Sequence, residues 1–162
     1  MAIKVGEKLP ETTFTVMGAE GPEQKSTADI FSGKKVVLFA VPGAYTPTCQ
    51  NAHMPGFVQH SDDIKAKGID SVACTSVNDI FVMDAWAKDC GAAGKIDVLA
   101  DGNADFAKAL GLSLDLSAHG LGTRSHRYSM LVEDSIVKLL NVEEAPPNHD
   151  VSSAASLLSQ LG

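Results

Sequence analysis

Lys35-Val36-Val37-Leu38-Phe39-Ala40-Val41-Pro42-Gly43-Ala44-Tyr45-Thr46-Pro47-Thr48-Cys49 is the stretch from which the rest of this chain is read. Residues 36–41 are apolar, rich in β-branched and aromatic types, and lack polar alternation. That pattern predicts a short strand buried on both faces of a parallel sheet. Pro42-Gly43 turns the chain, Thr46 suits a helix N-cap, and Pro47 suits the first helical position, where its missing N–H costs nothing. Cys49 therefore falls in the first turn of a predicted helix that runs to Lys67 and stops at Gly68. Unpaired backbone N–H groups and the positive end of the helix dipole favour an anion there, so the sulfur is stabilised as thiolate. A lone cysteine more often packs as a small hydrophobe. Strand, turn, cap and helix start all converge on this one, which marks it as a nucleophile.

Outward from that stretch, Thr12 to Val16 and the Gly21-Pro22 turn predict an N-terminal hairpin, and Ser26 to Phe31 a short helical turn closed by Ser32-Gly33. Pro55-Gly56 should kink or break the long helix near Met54. Ser71 to Val77 reads as a second buried strand, Asp79 to Cys90 as a helix stopped by Gly91, Ile96 to Ala100 as a third strand, and Ala104 to Leu110 as a helix ended by Gly111. The β-α-β-α alternation predicts an α/β sheet with helices on its faces. Tyr128 to Val132 and Ile136 to Val142 flank Glu133-Asp134-Ser135 and predict an antiparallel hairpin at the sheet edge; a last helix covers Ser152 to Leu161. Strand-helix-strand followed by hairpin and helix is the order of a thioredoxin-like fold, with a mixed central sheet flanked by helices.

The 162 residues, 44% hydrophobic and 20% charged, suffice for a single domain, 1–162, with a full core. A formal charge of −7 without clustered Lys or Arg argues against nucleic acid. No apolar run reaches membrane-spanning length and no secretory signal opens the chain, so a cytoplasmic location is expected. Three widely spaced cysteines make neither a disulfide framework nor a CxxC pair, which fits a reducing compartment and argues against structural zinc. No cofactor or metal is expected.

Pro42-x-x-x-Thr46-x-x-Cys49 resembles the active-site pattern of the peroxiredoxins, and the full Pro42 to Cys49 string is similar to the atypical, type II or type V branch. The resemblance continues through His53 to Phe57, Ser76 to Asp79 with Phe81-Val82-Met83 and Trp86-Ala87-Lys88, Leu99 to Gly102, and Gly120 to Arg124, covering nearly the whole chain. It implies a thioredoxin-like fold, a homodimer, and a thiol-dependent peroxidase acting on hydrogen peroxide and alkyl hydroperoxides.

In such a reaction charge spreads over sulfur and both peroxide oxygens, and fixed donors must meet it. Cys49 is the candidate nucleophile, passing to a sulfenic acid. Thr46 places a hydroxyl at the same helix start, although a plain N-cap role is equally compatible. Pro42 offers an apolar wall without a competing N–H. Arg127, at the start of a buried strand, is costly there unless an anion meets it, and it matches the family's active-site arginine. Arg124, in the Gly-rich loop, reads as a solvated surface charge with a supporting role left open. His53, four residues after Cys49, reads as a pocket wall or hydrogen-bonding residue. His60, His119, His126 and His149 show no site-like spacing.

Some members of this branch carry a resolving cysteine near the C-terminus, but no cysteine follows Cys90, and Asp150 to Ser153 offers only hydroxyls. Cys74 reads as a core residue, and pairing of Cys90 with Cys49 has no support. The resemblance then implies a one-cysteine cycle with an external reductant: glutathione with glutaredoxin, or thioredoxin. Two other readings compete. A cysteine hydrolase needs an oriented histidine that the sequence does not display. A redox sensor shares every residue, and only turnover separates it from the enzyme.

Overall fold

The computed structural model describes residues 2–47, 52–145 and 148–161. The predicted N-terminal hairpin is present as β1 (Thr13–Gly18) and β2 (Gly21–Ser26), antiparallel from Thr13 opposite Ser26 to Gly18 opposite Gly21, but its turn is Ala19-Glu20, and Gly21-Pro22, expected to turn, instead opens β2. Helix α1 (Thr27–Phe31) begins at a capping box: the Ser26 side chain accepts from Asp29 N–H while the Asp29 carboxylate accepts from Ser26 N–H. The buried run then forms β3 (Lys35–Ala40), followed by α2 (Met54–Lys65), β4 (Ser71–Ser76), α3 (Ile80–Asp89), β5 (Asp97–Ala100) and α4 (Asp105–Leu110). After a small two-stranded sheet of β6 (Ser113–Asp115) and β7 (Thr123–Ser125), the chain closes with β8 (Tyr128–Glu133), β9 (Ile136–Val142) and α5 (Ala154–Gln160).

The seven-stranded sheet has the order β2-β1-β5-β4-β3-β8-β9, with β3 parallel to β4, β4 parallel to β5, β8 antiparallel to β3, and β9 antiparallel to β8. This is the mixed, helix-flanked thioredoxin-like sheet expected. Alternation along β3 divides the core in two. Val37, Phe39 and Val41 pack with Met54 and Phe57 of α2, Met83 and Trp86 of α3, and Leu157 of α5. Val36, Leu38 and Ala40 face the other way, with Phe14, Phe31, Phe106 and Leu110. A strand with both faces covered cannot alternate with polar residues, which is why 36–41 reads as it does.

Two local readings shift. Pro55 does not break its helix: it occupies the first turn of α2, where an absent N–H leaves no bond unmade, and Ala52 and His53 just before it are in π conformation. The irregularity expected at Met54 is thus a change from π to α winding. The β6–β7 pair has no strong sequence signature, since it is three residues long on each side.

Candidate active site

The C-terminal end of β3 leads into the turn 41–46. Pro42 and Gly43 are buried, and Pro47 is already helical, as its position after Thr46 implies. The hydroxyl of Thr46 donates to Gly43 O at 2.7 Å, closing the turn on itself. Its hydrogen is directed there, so toward any other group Oγ1 can act only as an acceptor. Ala44 N–H donates to Asn78 Oδ1 at 3.0 Å, and Asn78 Oδ1 also accepts from Ser76 Oγ at 2.7 Å, so the turn is tied to the end of β4. Tyr45 takes the left-handed conformation at φ 67°, at a cost of about 1–3 kcal/mol. Its phenol donates to Asp89 Oδ2 at 2.5 Å, which holds the ring against α3 and pushes the Tyr45 pKa up to about 12. Cys49 lies outside the described residues.

Ala40 pairs with Tyr128, so the antiparallel register carries Arg127 alongside Val41, next to the turn. Arg127 is 2% exposed, as a buried strand start requires, and Nη1 donates to His53 Nδ1 at 2.9 Å. On the other side of the ring, His53 Nε2 lies 3.0 Å from Ser152 O. A carbonyl can only accept, so Nε2 carries the hydrogen and Nδ1 offers its lone pair to the arginine. His53 is fully buried and packs against the stacked pair of Phe39 and Phe57, with centroids 5.0 and 5.5 Å away. Burial, then the Arg127 charge, hold its pKa well below the ordinary histidine value. The consequence is electrostatic: a neutral acceptor orients the guanidinium without cancelling its charge.

Glu143 supports this arrangement from behind. It is buried, and Oε2 accepts from Asp150 N–H at 2.8 Å, Ser152 N–H at 2.7 Å and Ser152 Oγ at 2.6 Å. Burial alone would raise its pKa, but the Ser152 hydroxyl and the Ser152 and Asp150 amides outweigh it and keep the carboxyl below its usual range. Ser152, the acceptor for His53, is thereby fixed. His149 rides on the same segment and packs edge-on to His53 with centroids 5.0 Å apart; burial and the nearby Arg127 lower its pKa, against Glu143 and Asp150.

Arg127 and His53 are thus in contact, beside the turn that carries Pro42 and Thr46. Nothing in the sequence points to Glu143 and Ser152, and its spacing leaves His149 outside any site. The signal that could have found them is the Ser152-Ser153 pair ahead of the last helix: Ser153 is the N-cap, accepting from Ser156 N–H, which leaves the adjacent Ser152 turned inward. Arg124 is corrected too. It is half-buried rather than solvated: Nε donates to Leu121 O at 2.9 Å, and Nη1 to Val77 O at 3.2 Å and Pro42 O at 3.5 Å. Its partners are main-chain carbonyls, which leave no mark on the sequence.

Cys74 is buried in β4 within the core, as read. Cys90 caps α3 half-buried, and burial followed by the adjacent Asp89 raises its pKa, making it a poor thiolate. Among the described residues no group of three or more His, Cys, Asp or Glu could hold a metal, and no helix is long and apolar enough to cross a membrane.

The sequence profile of the Redoxin family matches residues 4–158. Peroxiredoxin-2E, chloroplastic, of Arabidopsis thaliana is 46% identical over 164 residues, covering 99% of this chain and 70% of that protein. Peroxiredoxin-2C of Oryza sativa subsp. japonica is 44% identical over 160 residues, 98% of each. Among solved structures, reduced Prx3 in complex with H2O2 from Vibrio vulnificus superposes with a TM-score of 0.94 at 48% identity, covering 99% of both chains.

Proposed function

Because this chain belongs to the redoxin family, and within it to the peroxiredoxins, it is a thiol-dependent peroxidase, and we propose that Cys49 is its peroxide-reacting sulfur. The observation that carries this reading is the buried Arg127, oriented by neutral His53 and set beside the Pro42–Thr46 turn that leads to Cys49. A buried cation favours an anion nearby, and a Cys49 thiolate would be one.

The chemistry balances without a cofactor. The Cys49 thiolate attacks one oxygen of ROOH, the O–O bond breaks, an S–OH bond forms, and RO⁻ leaves and takes up a proton as ROH. Arg127 stabilises charge on sulfur and on the departing oxygen. Thr46 Oγ1 accepts the peroxide hydrogen and sets the O–O axis in line, and Pro42 walls the attacked bond from water. An external thiol then attacks the sulfenic sulfur, releasing water and leaving a mixed disulfide. A second thiol frees Cys49 and departs as the disulfide.

A one-cysteine cycle is in keeping with the chain's own thiols: Cys74 is buried in the core, and burial with the adjacent Asp89 raises the Cys90 pKa. The substrates are hydrogen peroxide and small alkyl hydroperoxides, the reductant glutathione with glutaredoxin or thioredoxin, and the compartment the cytoplasm, in keeping with cysteines that do not pair. The working form is a homodimer; Tyr45 and Phe81, exposed at 46% and 66% beside the turn, give apolar surface for a second copy to cover.

Peroxide consumption with each reductant, comparing wild type with Cys49→Ser and Arg127→Ala, tests the assignment. Sustained turnover abolished by Cys49→Ser and severely reduced by Arg127→Ala supports it. One equivalent consumed and then arrest with every reductant would instead establish a sensor, and full activity in Cys49→Ser would refute the nucleophile. Light scattering checks the dimer, and cell fractionation the compartment.

A further inference from the structure

We propose that Arg124 is a positioning residue for peroxide reduction, acting as a clamp that sets the Pro42–Thr46 turn. Three loops meet at its guanidinium. Nε donates to Leu121 O in its own Gly-rich loop, and the two hydrogens of Nη1 reach Val77 O beyond β4 and Pro42 O at the entrance of the turn. The fork is rigid and planar, so the three carbonyls are fixed relative to one another in a way that no single-point donor can reproduce.

The packing around Gly43 is independent support. A Cβ built on Gly43 would stand 3.0 Å from Arg124 Nη1 and 3.1 Å from Thr46 Cγ2, so the guanidinium and the threonine both close on the space where a side chain would stand. Gly43 O is also the acceptor of the Thr46 hydroxyl. The backbone that Arg124 holds at Pro42 is therefore one peptide away from the backbone that aims Thr46. Asn78 secures the far end at Ala44 and Val41 N–H donates to Thr75 O just before the turn, so without Arg124 the Pro42 carbonyl between them loses its donor.

Displacing the turn alters the alignment of a peroxide on Thr46 and Pro42 but leaves the charge provided by Arg127 in place. Peroxide reduction depends on alignment; alkylation of a thiolate by iodoacetamide depends only on the thiolate. The inference rests on Cys49 being the reacting sulfur, which wild-type turnover and Cys49→Ser examine separately.

The test compares wild type, Arg124→Ala, Arg124→Lys and Gly43→Ala by the rate constant for hydrogen peroxide, the iodoacetamide rate at pH 7 and the melting temperature. Arg124→Ala is expected to lose about a hundredfold in the peroxide rate, with alkylation nearly unchanged, and to regain peroxide activity with millimolar guanidinium but not with ammonium. Arg124→Lys stays at least about tenfold slow because it cannot fork across the carbonyls. Gly43→Ala, which pushes the clamp away with Arg124 still present, shares the selective loss. Wild-type peroxide rates in Arg124→Lys, or equal losses in peroxide reduction and alkylation, would overturn the clamp in favour of a charge effect. A lowered melting temperature with an unchanged peroxide rate per folded molecule would overturn it in favour of a plain surface staple. Should Arg124→Ala fail to fold, Arg124→Lys and Gly43→Ala decide.

Discussion

Replacing Glu143 by alanine removes a carboxylate that touches neither the turn nor Arg127, yet it should be felt at both. Oε2 serves three donors, two of them on fully buried Ser152. Asp150 is exposed, so its amide can recruit water, but the Ser152 amide and hydroxyl would be stranded. Each of the two stranded buried donors costs about 1–3 kcal/mol, so a loss of about 2–6 kcal/mol is expected. For a chain of this size that corresponds to a fall of roughly 4–24 °C in melting temperature. Glu143→Gln keeps an acceptor oxygen and should lose less than half as much. Ser152 O also fixes the His53 tautomer, so Glu143→Ala should slow peroxide reduction by about tenfold through a loosened Arg127. The pH dependence has a definite sign. The folded carboxyl titrates below its ordinary value of 4.5, so its stabilisation is complete above that value and is lost as pH falls through the folded pKa. The gap between wild type and Glu143→Ala should therefore close in acid. Melting curves at pH 7 and across the acid range, with stopped-flow peroxide kinetics, measure all of this. A Glu143→Ala protein that melts within about 1 °C of wild type and keeps its peroxide rate would refute the tether.

Arg127→Lys should retain a charge but lose the directed donor to His53 Nδ1, lowering the peroxide rate by about 10²–10³; near-wild-type kinetics would show that geometry at this position is irrelevant. Thr46→Val, close in shape, removes the 2.7 Å bond to Gly43 O, costing about 1 kcal/mol of stability in urea titrations, and should also impair peroxide reduction well beyond any effect on alkylation. His53 and His149 both titrate below the ordinary 6.5 when folded, His53 through burial and Arg127, His149 through burial and Arg127. The unfolded chain binds more protons there, so their contribution is complete above 6.5 and is lost as pH falls below it, by up to about 1.4 kcal/mol per pH unit per group. Urea midpoints from pH 7.5 to 5.0 should decline less steeply in His53→Gln; an equal slope would place the titration elsewhere.

Local signals carried most of the fold. The unbroken apolar run of β3, the Asp79 cap whose carboxylate accepts from Val82 N–H, and Gly68 and Gly111 at left-handed helix ends each act through neighbours a few positions away. Arg127 was legible because a cation at a buried strand start demands a partner. What escaped was whatever depends on distant main chain. Arg124 answers to Pro42 O and Val77 O, and His53 to Ser152 O; any residue type carries a carbonyl, so no side chain advertises the contact. Glu143 looks like one more acid in an acidic segment until its burial is seen.

The tautomer of His53 is set from one end of the chain and read at another: Arg127 lies 74 positions along from it and Ser152 lies 99. Neither contact exists until β3 has found β8 and the last helix has docked. The paired His53 and Arg127 are therefore a late acquisition during folding, and the orientation of the guanidinium is a property of the docked tertiary structure that no isolated segment of the chain possesses.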